Sequence, residues 1–507
     1  MRRRSHFLIS SLLFFVIVPL AHGFDGPLQL LYQIDAVGLD QTGFSVAGAG
    51  DVNRDGRADF IVGAPSADPN QLQDAGSAFV YSGADGALLF QKDGGAADDG
   101  FGWSVAGAGD VNGDAYGDFI IGAPFADPDG LNLAGSVYVY SGASGDLLFQ
   151  KNGADIGNNL GYSAAGAGDV DRDGSADFIV GAPFADPFGR ASAGSAYVYS
   201  GASGGLLFQK NGAESRYRLG TSVAGVGDVD RDGKADFIIG APGGLTDSGK
   251  AYVYSGEKGF LLFRKRGAAP GDRLGNSVAG AGDVNGDGHP DFIVGAYLSG
   301  LNGPESGAAY LYSGYDGALL FSVYGEAIGD RLGSAVAGAG DVNGDWKADF
   351  IVGAYLSDAT DTLNVGAAYL YSGADGALLF QKKGLNVGDR LGTSVSGIGE
   401  VNGDGNADFI FGSPSARPDG INPGGQAFVY AFACPGSRGD LNTNGLVDLQ
   451  DVILQLNCVF ERTGNCNRCL SDANCDGNLT PADLITELYG FFAIRPIDCT
   501  FGTGPAL

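Results

Sequence analysis

One arrangement of hydrophobic and polar positions returns along most of this chain at a nearly constant interval. Residues 101 to 151 show a single unit. Phe101-Gly102-Trp-Ser-Val-Ala-Gly is a short segment of small and apolar residues that predicts a first strand. An acidic turn follows at Asp110–Asp118, and Phe119-Ile-Ile-Gly-Ala-Pro124 is apolar throughout, as expected of a strand covered on both faces. A variable loop from Phe125 to Ala134 leads to Ser136-Val-Tyr-Val-Tyr140, a Ser-Gly-rich turn, and Leu147-Leu-Phe-Gln-Lys151. That makes four short strands joined by Gly-rich turns, with no helical periodicity inside the unit.

The acidic turns start at Asp51, Asp110, Asp169, Asp228, Asp283, Asp341 and Glu400, in steps of 59, 59, 59, 55, 58 and 59 residues. A four-stranded unit repeated seven times predicts an all-β fold, a seven-bladed propeller. The Leu-Leu-Phe-Gln-Lys strand recurs at Leu88, Leu147, Leu206, Leu261, Leu319 and Leu378, but the seventh unit lacks it. A similar segment, Leu30-Leu-Tyr-Gln-Ile34, precedes the first unit and has no blade of its own there. It is expected to complete the seventh blade and close the ring without a free edge. An open solenoid would leave it unexplained.

The turn reads Asp-x-[Asp/Asn]-x-Asp-Gly-x-x-Asp. Side-chain oxygens at positions 1, 3, 5 and 9 and the backbone carbonyl at position 7 can converge on one hard cation, and this ligand set favours calcium. The candidate ligands are Asp51, Asn53, Asp55, Arg57 and Asp59 in the first turn and Asp110, Asn112, Asp114, Tyr116 and Asp118 in the second. The third has Asp169, Asp171, Asp173, Ser175 and Asp177, and the fourth Asp228, Asp230, Asp232, Lys234 and Asp236. The last three have Asp283, Asn285, Asp287, His289 and Asp291; Asp341, Asn343, Asp345, Lys347 and Asp349; and Glu400, Asn402, Asp404, Asn406 and Asp408. Two carboxylates 4 Å apart repel by about 1 kcal/mol in water and about 4 kcal/mol near a protein surface, so such crowding points to a cation. The third and fourth turns carry Asp at all four side-chain positions and are expected to bind most tightly. Ala115 and Trp346 replace the Gly at position 6, and Glu400 is one methylene too long, so weaker binding is expected in the second, sixth and seventh.

These motifs carry a resemblance. Phe101-Gly102 and Gly122-Ala123-Pro124 bracket an acidic turn, and residues 24–434 resemble the seven-bladed FG-GAP propeller of integrin alpha chains. Leu-Gly replaces Phe-Gly in units three to seven, and Gly-Ala-Tyr or Gly-Ser-Pro replaces Gly-Ala-Pro in the last three. Integrins usually keep calcium turns in only some blades, whereas all seven units have one here. The resemblance implies an extracellular adhesion or binding role. The leg domains and membrane span of an integrin are not found in the sequence.

Residues 435–507 predict a second, small α-helical domain. Asp440, Asn442, Asn444, Leu446, Asp448 and Asp451 form one loop, followed by a helix carrying Leu449, Val452, Ile453 and Leu456 on one face. Asp472, Asn474, Asp476, Asn478, Thr480 and Asp483 form another, with Leu484, Ile485 and Leu488 in its helix. Paired loop-helix units of this spacing resemble a dockerin, which implies two more calcium ions and a cohesin-like partner. A plain calcium-stabilised tail is the alternative. All six cysteines lie between Cys434 and Cys499, which allows up to three disulfides with the pairing open; Cys466-x-x-Cys469 as half a zinc site is the alternative.

Arg2 to Arg4, the apolar stretch Phe7 to Leu20, and Ala21-His22-Gly23 read as a secretory signal over residues 1–23, with a membrane anchor as the alternative. The expectation is a secreted or surface-associated protein that does not insert into the membrane once the signal is removed. A net charge of −29 argues against nucleic acid as a partner. Of the 59 acidic residues, 29 lie in the proposed cation loops, so nine bound calcium ions would leave about −11.

After signal removal the one histidine is His289, inside a turn, which speaks against a Ser-His-Asp or zinc-His enzyme. Gly201-Ala-Ser203-Gly-Gly205 matches a nucleophile elbow but falls in register with the plain turn Gly83-Ala-Asp85-Gly-Ala87. The reading is a non-enzymatic binding protein. Its variable loops, at 66–75, 125–134, 184–193, 211–218 and 298–306, would share the face opposite the turns. There Phe125, Phe184, Phe188, Tyr217, Tyr297 and Tyr355 would meet a protein or glycan ligand, or simply pack blade on blade. The alternatives are a structural component of a surface assembly with no ligand of its own and, less favoured, a glycan hydrolase.

Overall fold

The computed structural model describes residues 28–432 except 37, 245–246, 360–361, 419 and 421. The expected signal segment and the C-terminal module with its calcium loops and cysteines lie outside the described residues.

The chain forms seven four-stranded antiparallel sheets. The first blade contains Ser45–Gly50, Asp59–Ala64, Ser77–Tyr81 and Leu88–Asp93, ordered from the axis outward. The next five blades repeat this order. The seventh contains Ser394–Gly399, Asp408–Ser413 and Gln426–Phe432, and its outer strand is the N-terminal segment Leu28–Asp35. Leu28 pairs with Phe432 and Asp35 with Gln426, as the displaced repeat predicts. Tyr32 seals the seam: its ring stacks on Phe60 at 6.1 Å and its hydroxyl donates to the Gly83 carbonyl at 2.8 Å.

Composition follows position in the blade. Each second strand is wholly buried, which explains its unbroken apolar run. The core is a set of clusters that each join two neighbouring blades; Ile61 and Val80 of the first blade, for example, pack with Val105, Phe119 and Ile121 of the second. No blade buries its apolar faces alone, so the ring is the folding unit. The inner strands carry glycine at one register position because they approach too closely for a side chain. A Cβ at Gly107 would lie 2.7 Å from the Gly48 carbonyl oxygen, and one at Gly397 would lie 2.6 Å from that of Gly338.

Outer strands latch onto the next blade. Lys92 donates to the Gly145 carbonyl at 2.6 Å and lies over the Tyr140 ring, and Lys210 repeats this with Gly259 and Tyr254. One strand boundary differs from the sequence expectation. The first strand of the second blade begins at Ser104, because Gly102 turns the chain at φ 88° with no room for a Cβ beside the Ser77 carbonyl. Phe101 makes only a single bridge, to Gly76. Among the described residues no helix is long and apolar enough to cross a membrane.

Candidate metal centre and the opposite face

Each acidic turn joins the first and second strands of its blade and is wound by its own side chains. In the first turn, Asp51 accepts hydrogen bonds from the backbone N–H of Asp55 at 3.0 Å and of Gly56 at 2.9 Å. Asn53 Oδ1 accepts from the Asp55 N–H, and Asp55 Oδ1 accepts from the Arg57 N–H, both at 2.9 Å. This winding puts positions 4 and 6 in the left-handed region. Arg54 has φ 60° and Gly56 has φ 86°. The demand at position 4 escaped the sequence reading. It was visible in the alternation of Arg54, Arg172 and Arg231 with Gly113, Gly286, Gly344 and Gly403. In two of the four turns with Gly at position 4, Ala115 and Trp346 take position 6 at φ 69° and 70°, the expected strained exceptions; the other two keep Gly288 and Gly405 there.

Position 9 reaches furthest. Asp59, Asp118, Asp177, Asp236, Asp291, Asp349 and Asp408 are all 0 % exposed. Asp177 Oδ2 accepts from the Val170 N–H and Oδ1 from the Gly201 N–H beyond the third strand, each at 2.8 Å. The first six blades share this clamp. Burial raises these carboxyls, against the pull of the backbone N–H groups, to about 6 at Asp177 and about 7 at Asp236 and Asp349. A serine next to the clamp also escaped the sequence reading. Ser82 Oγ lies 3.4 Å from Asp55 Oδ2, and Ser255 Oγ lies 3.3 Å from Asp232 Oδ2. The Ser-Gly pair that recurs after the third strand was the available signal.

Neighbouring turns are bonded into a belt. The position 8 N–H of one turn donates to the position 1 carbonyl of the preceding turn, as Gly117 does to Asp51 at 2.8 Å and Ala58 to Glu400 at 2.9 Å. Pro290 has no N–H to give. There the ring of His289 approaches the Val229 carbonyl at 2.8 Å instead.

The third and fourth turns bring carboxylates together as the sequence predicts. One oxygen each from Asp169, Asp171 and Asp177 lies within 4.8 Å of the others, and so do Asp228, Asp230 and Asp236. An ion there would take positions 1, 3 and 9; Asp173 and Asp232 at position 5 are outside these groups. A hard divalent cation fits this all-oxygen donor set. The seventh turn is built differently. Glu400 Oε2 meets Arg57 Nη1 of the first blade at 2.5 Å, and its other oxygen accepts from the Gly403 N–H. Asp408 Oδ1 is buried with no partner among the described residues. The chain runs on through Phe432 where other blades turn at Ser-Gly.

The loops between the second and third strands and those between blades share the other face, as the bridge Gly76 to Phe101 and its equivalents show. Phe125 packs edge-on to Trp103 at 4.9 Å and Phe184 edge-on to Tyr162 at 5.8 Å. Tyr217 is buried, whereas Phe188 is 80 % exposed. Tyr297 and Tyr355 accept hydrogen bonds from Arg273 and Arg331.

Residues 42–81, 101–140, 160–199, 219–254 and 274–312 match the FG-GAP repeat family. The chain is 34 % identical to integrin alpha-5 of Xenopus laevis over 215 residues, covering 39 % of this chain and 20 % of that protein. It is 34 % identical to integrin alpha-V of Gallus gallus over 216 residues, with the same coverage. Integrin alpha-4 of Xenopus laevis is 32 % identical over 280 residues, covering 52 % of this chain and 25 % of that protein. The chain thus spans a fifth to a quarter of the length of these relatives. Its described residues form a seven-bladed propeller with FG-GAP repeats, similar to part of the integrin alpha chains.

Proposed function

We propose that this chain is an exported, calcium-binding interaction protein with no enzymatic activity of its own. The turns would hold up to seven calcium ions and stiffen one face. The opposite face would bind an extracellular protein or glycan. The observation that carries this reading is the division of labour between faces. One presents seven self-bonded acidic turns; the other presents loops that differ from blade to blade and expose Phe188. The similarity to integrin alpha chains supports an adhesive role outside the cell.

Residues 435–507 would add two calcium loops and dock to a cohesin-like partner. The second reading, a structural component without a ligand of its own, rests on that tail. The test uses the full-length exported protein on arrays of extracellular proteins and glycans, with calcium and with a chelator. Binding that Phe188→Ser weakens, while the fold is unchanged, supports the ligand face. Binding that is competed away entirely by a peptide of residues 435–507 favours the structural component and overturns the first reading.

A further inference from the structure

The loop face is divided around the mouth of the central channel. The residue before each Phe-Gly or Leu-Gly pair, or before its Thr42-Gly43 equivalent in the first blade, is Gln41, Gly100 or Asn159 ahead of the first three blades. Ahead of the last four it is Arg218, Arg273, Arg331 or Arg390. All seven have left-handed φ, between 52° and 62°. Gly and Asn suit that backbone, whereas arginine there costs about 1 kcal/mol. Arg54, Arg172 and Arg231 in the turns show that such a backbone tolerates arginine, so four in succession here are permitted by the backbone but not selected by it.

Only Arg331 has a carboxylate partner among the described residues, Glu305 at 2.8 Å. Arg218 lies over the Phe184 ring at 5.3 Å. Arg273 donates to the Tyr297 hydroxyl at 3.2 Å, while its Nε is buried without a partner. Arg390 is exposed. Arg218 and Arg273 thus meet a ring and a hydroxyl and Arg390 meets solvent, so in a chain of net charge −29 three guanidinium groups are left to an acceptor from outside.

The first three blades complete the mouth with aromatic rings. Phe44, Trp103 and Tyr162 follow one another at centroid distances of 4.5 and 5.6 Å. The two arcs adjoin at Phe184, whose ring packs against Tyr162 at 5.8 Å and lies 5.3 Å beneath the Arg218 guanidinium. A pocket of about 450 Å³ beside Trp103 and Phe125 is lined also by Asp74 and Asp98. Those aspartates repel an anion from the aromatic side and orient it toward the arginines. Trp103 and Tyr162 also pack at 79° and 80° against Phe125 and Phe184.

We propose that the channel mouth receives an acidic peptide segment of a partner protein. Its carboxylates would sit on Arg218, Arg273 and Arg390, and a neighbouring apolar side chain would enter the pocket at Trp103. Arginine suits this task because its planar fork takes a carboxylate through two hydrogen bonds. The inference rests on the loop face being the ligand face.

The test measures fluorescence anisotropy of a labelled alternating Glu-Leu peptide and its Gln-Leu counterpart on the full-length protein in calcium. The Glu peptide is expected to bind about tenfold more tightly. Arg218→Gln with Arg273→Gln should abolish that preference. Arg390→Gln, at an exposed site, should reduce it with unchanged thermal unfolding, which separates recognition from misfolding. Equal binding of the two peptides, no binding of either, or a preference that survives all three substitutions overturns the proposal. So does binding of a labelled uronic-acid oligosaccharide with no binding of the Glu peptide. If a ligand found on the arrays still binds the arginine variants, the ligand face stands and only the acidic-peptide assignment falls. Capture through the tail alone removes both.

Discussion

One repeat builds two faces of opposite character. On the turn face nearly every polar group is bonded inward: position 1 to the turn backbone, position 9 to the end of the third strand, and position 8 to the preceding blade. On the loop face the same register positions carry glutamine, glycine, asparagine or arginine, and the aromatic rings occupy only part of the circle. The comparison teaches where variation is affordable. A side chain that satisfies buried backbone groups is held by the fold, while one in a loop of the other face is held only by what it meets there.

The largest effect should come from breaking the inward bonds. Asp177→Ala removes the acceptor of the Val170 and Gly201 N–H groups, which stay buried. We expect a loss of about 2–4 kcal/mol in urea unfolding. An effect below about 1 kcal/mol would show that the clamp is dispensable and that the two faces are less different than their bonding implies.

The pH dependence sharpens the same contrast. In the native state Asp177 titrates near 6 and Asp236 near 7, while an unfolded aspartate titrates near 3.9. A folded value raised in this way gives stability that is full below about pH 4 and is lost as pH rises through 6 to 7. In chelator, stability should therefore fall between pH 5 and pH 8, by on the order of 1–3 kcal/mol per turn, and the melting temperature with it. Calcium stabilises the ionised form and should remove most of the fall. A calorimetric profile in chelator that rises over this range would contradict the assignment.

The seventh turn probes the seam. Arg57→Gln leaves Glu400 without its partner across the closure, an ion pair of partly exposed groups worth about 1 kcal/mol or less. The variant should melt slightly lower in chelator and take up more calcium by titration calorimetry. Unchanged uptake would mean that Arg57 does not compete with a cation. The smallest effect is expected at Trp346→Gly, which relieves a left-handed residue 39 % exposed to solvent. It should raise stability by about 0.5–1 kcal/mol in chelator, read from the urea midpoint. A fall would mean that the indole makes contacts worth more than the strain.

The repeat pattern made much of this legible. The all-apolar segments Asp-Phe-Ile-Val-Gly-Ala are the doubly covered strands, and Leu30-Leu-Tyr-Gln-Ile34 is where the missing strand of the seventh blade was expected. The turns were legible as acidic clusters. That position 9 serves as a clamp to a glycine some 24 residues away was not, because that partner is a backbone N–H with no signature of its own. Strand edges near Phe101 were misplaced for a similar reason: the left-handed turn at Gly102 is imposed by the neighbouring Ser77 carbonyl.

By itself the sequence determined the number of blades, the order of strands, the closing segment and the residues of each turn. These follow from local periodicity repeated along one chain. Only the tertiary structure decided which turn meets which. It set Arg57 against Glu400 across 343 residues, put His289 where Pro290 withholds an N–H, and brought Arg273 and Arg331 of neighbouring blades to the one ring of Tyr297. The reason is physical: closing the ring brings distant residues into contact, and charge and hydrogen bonding act through space rather than along the chain.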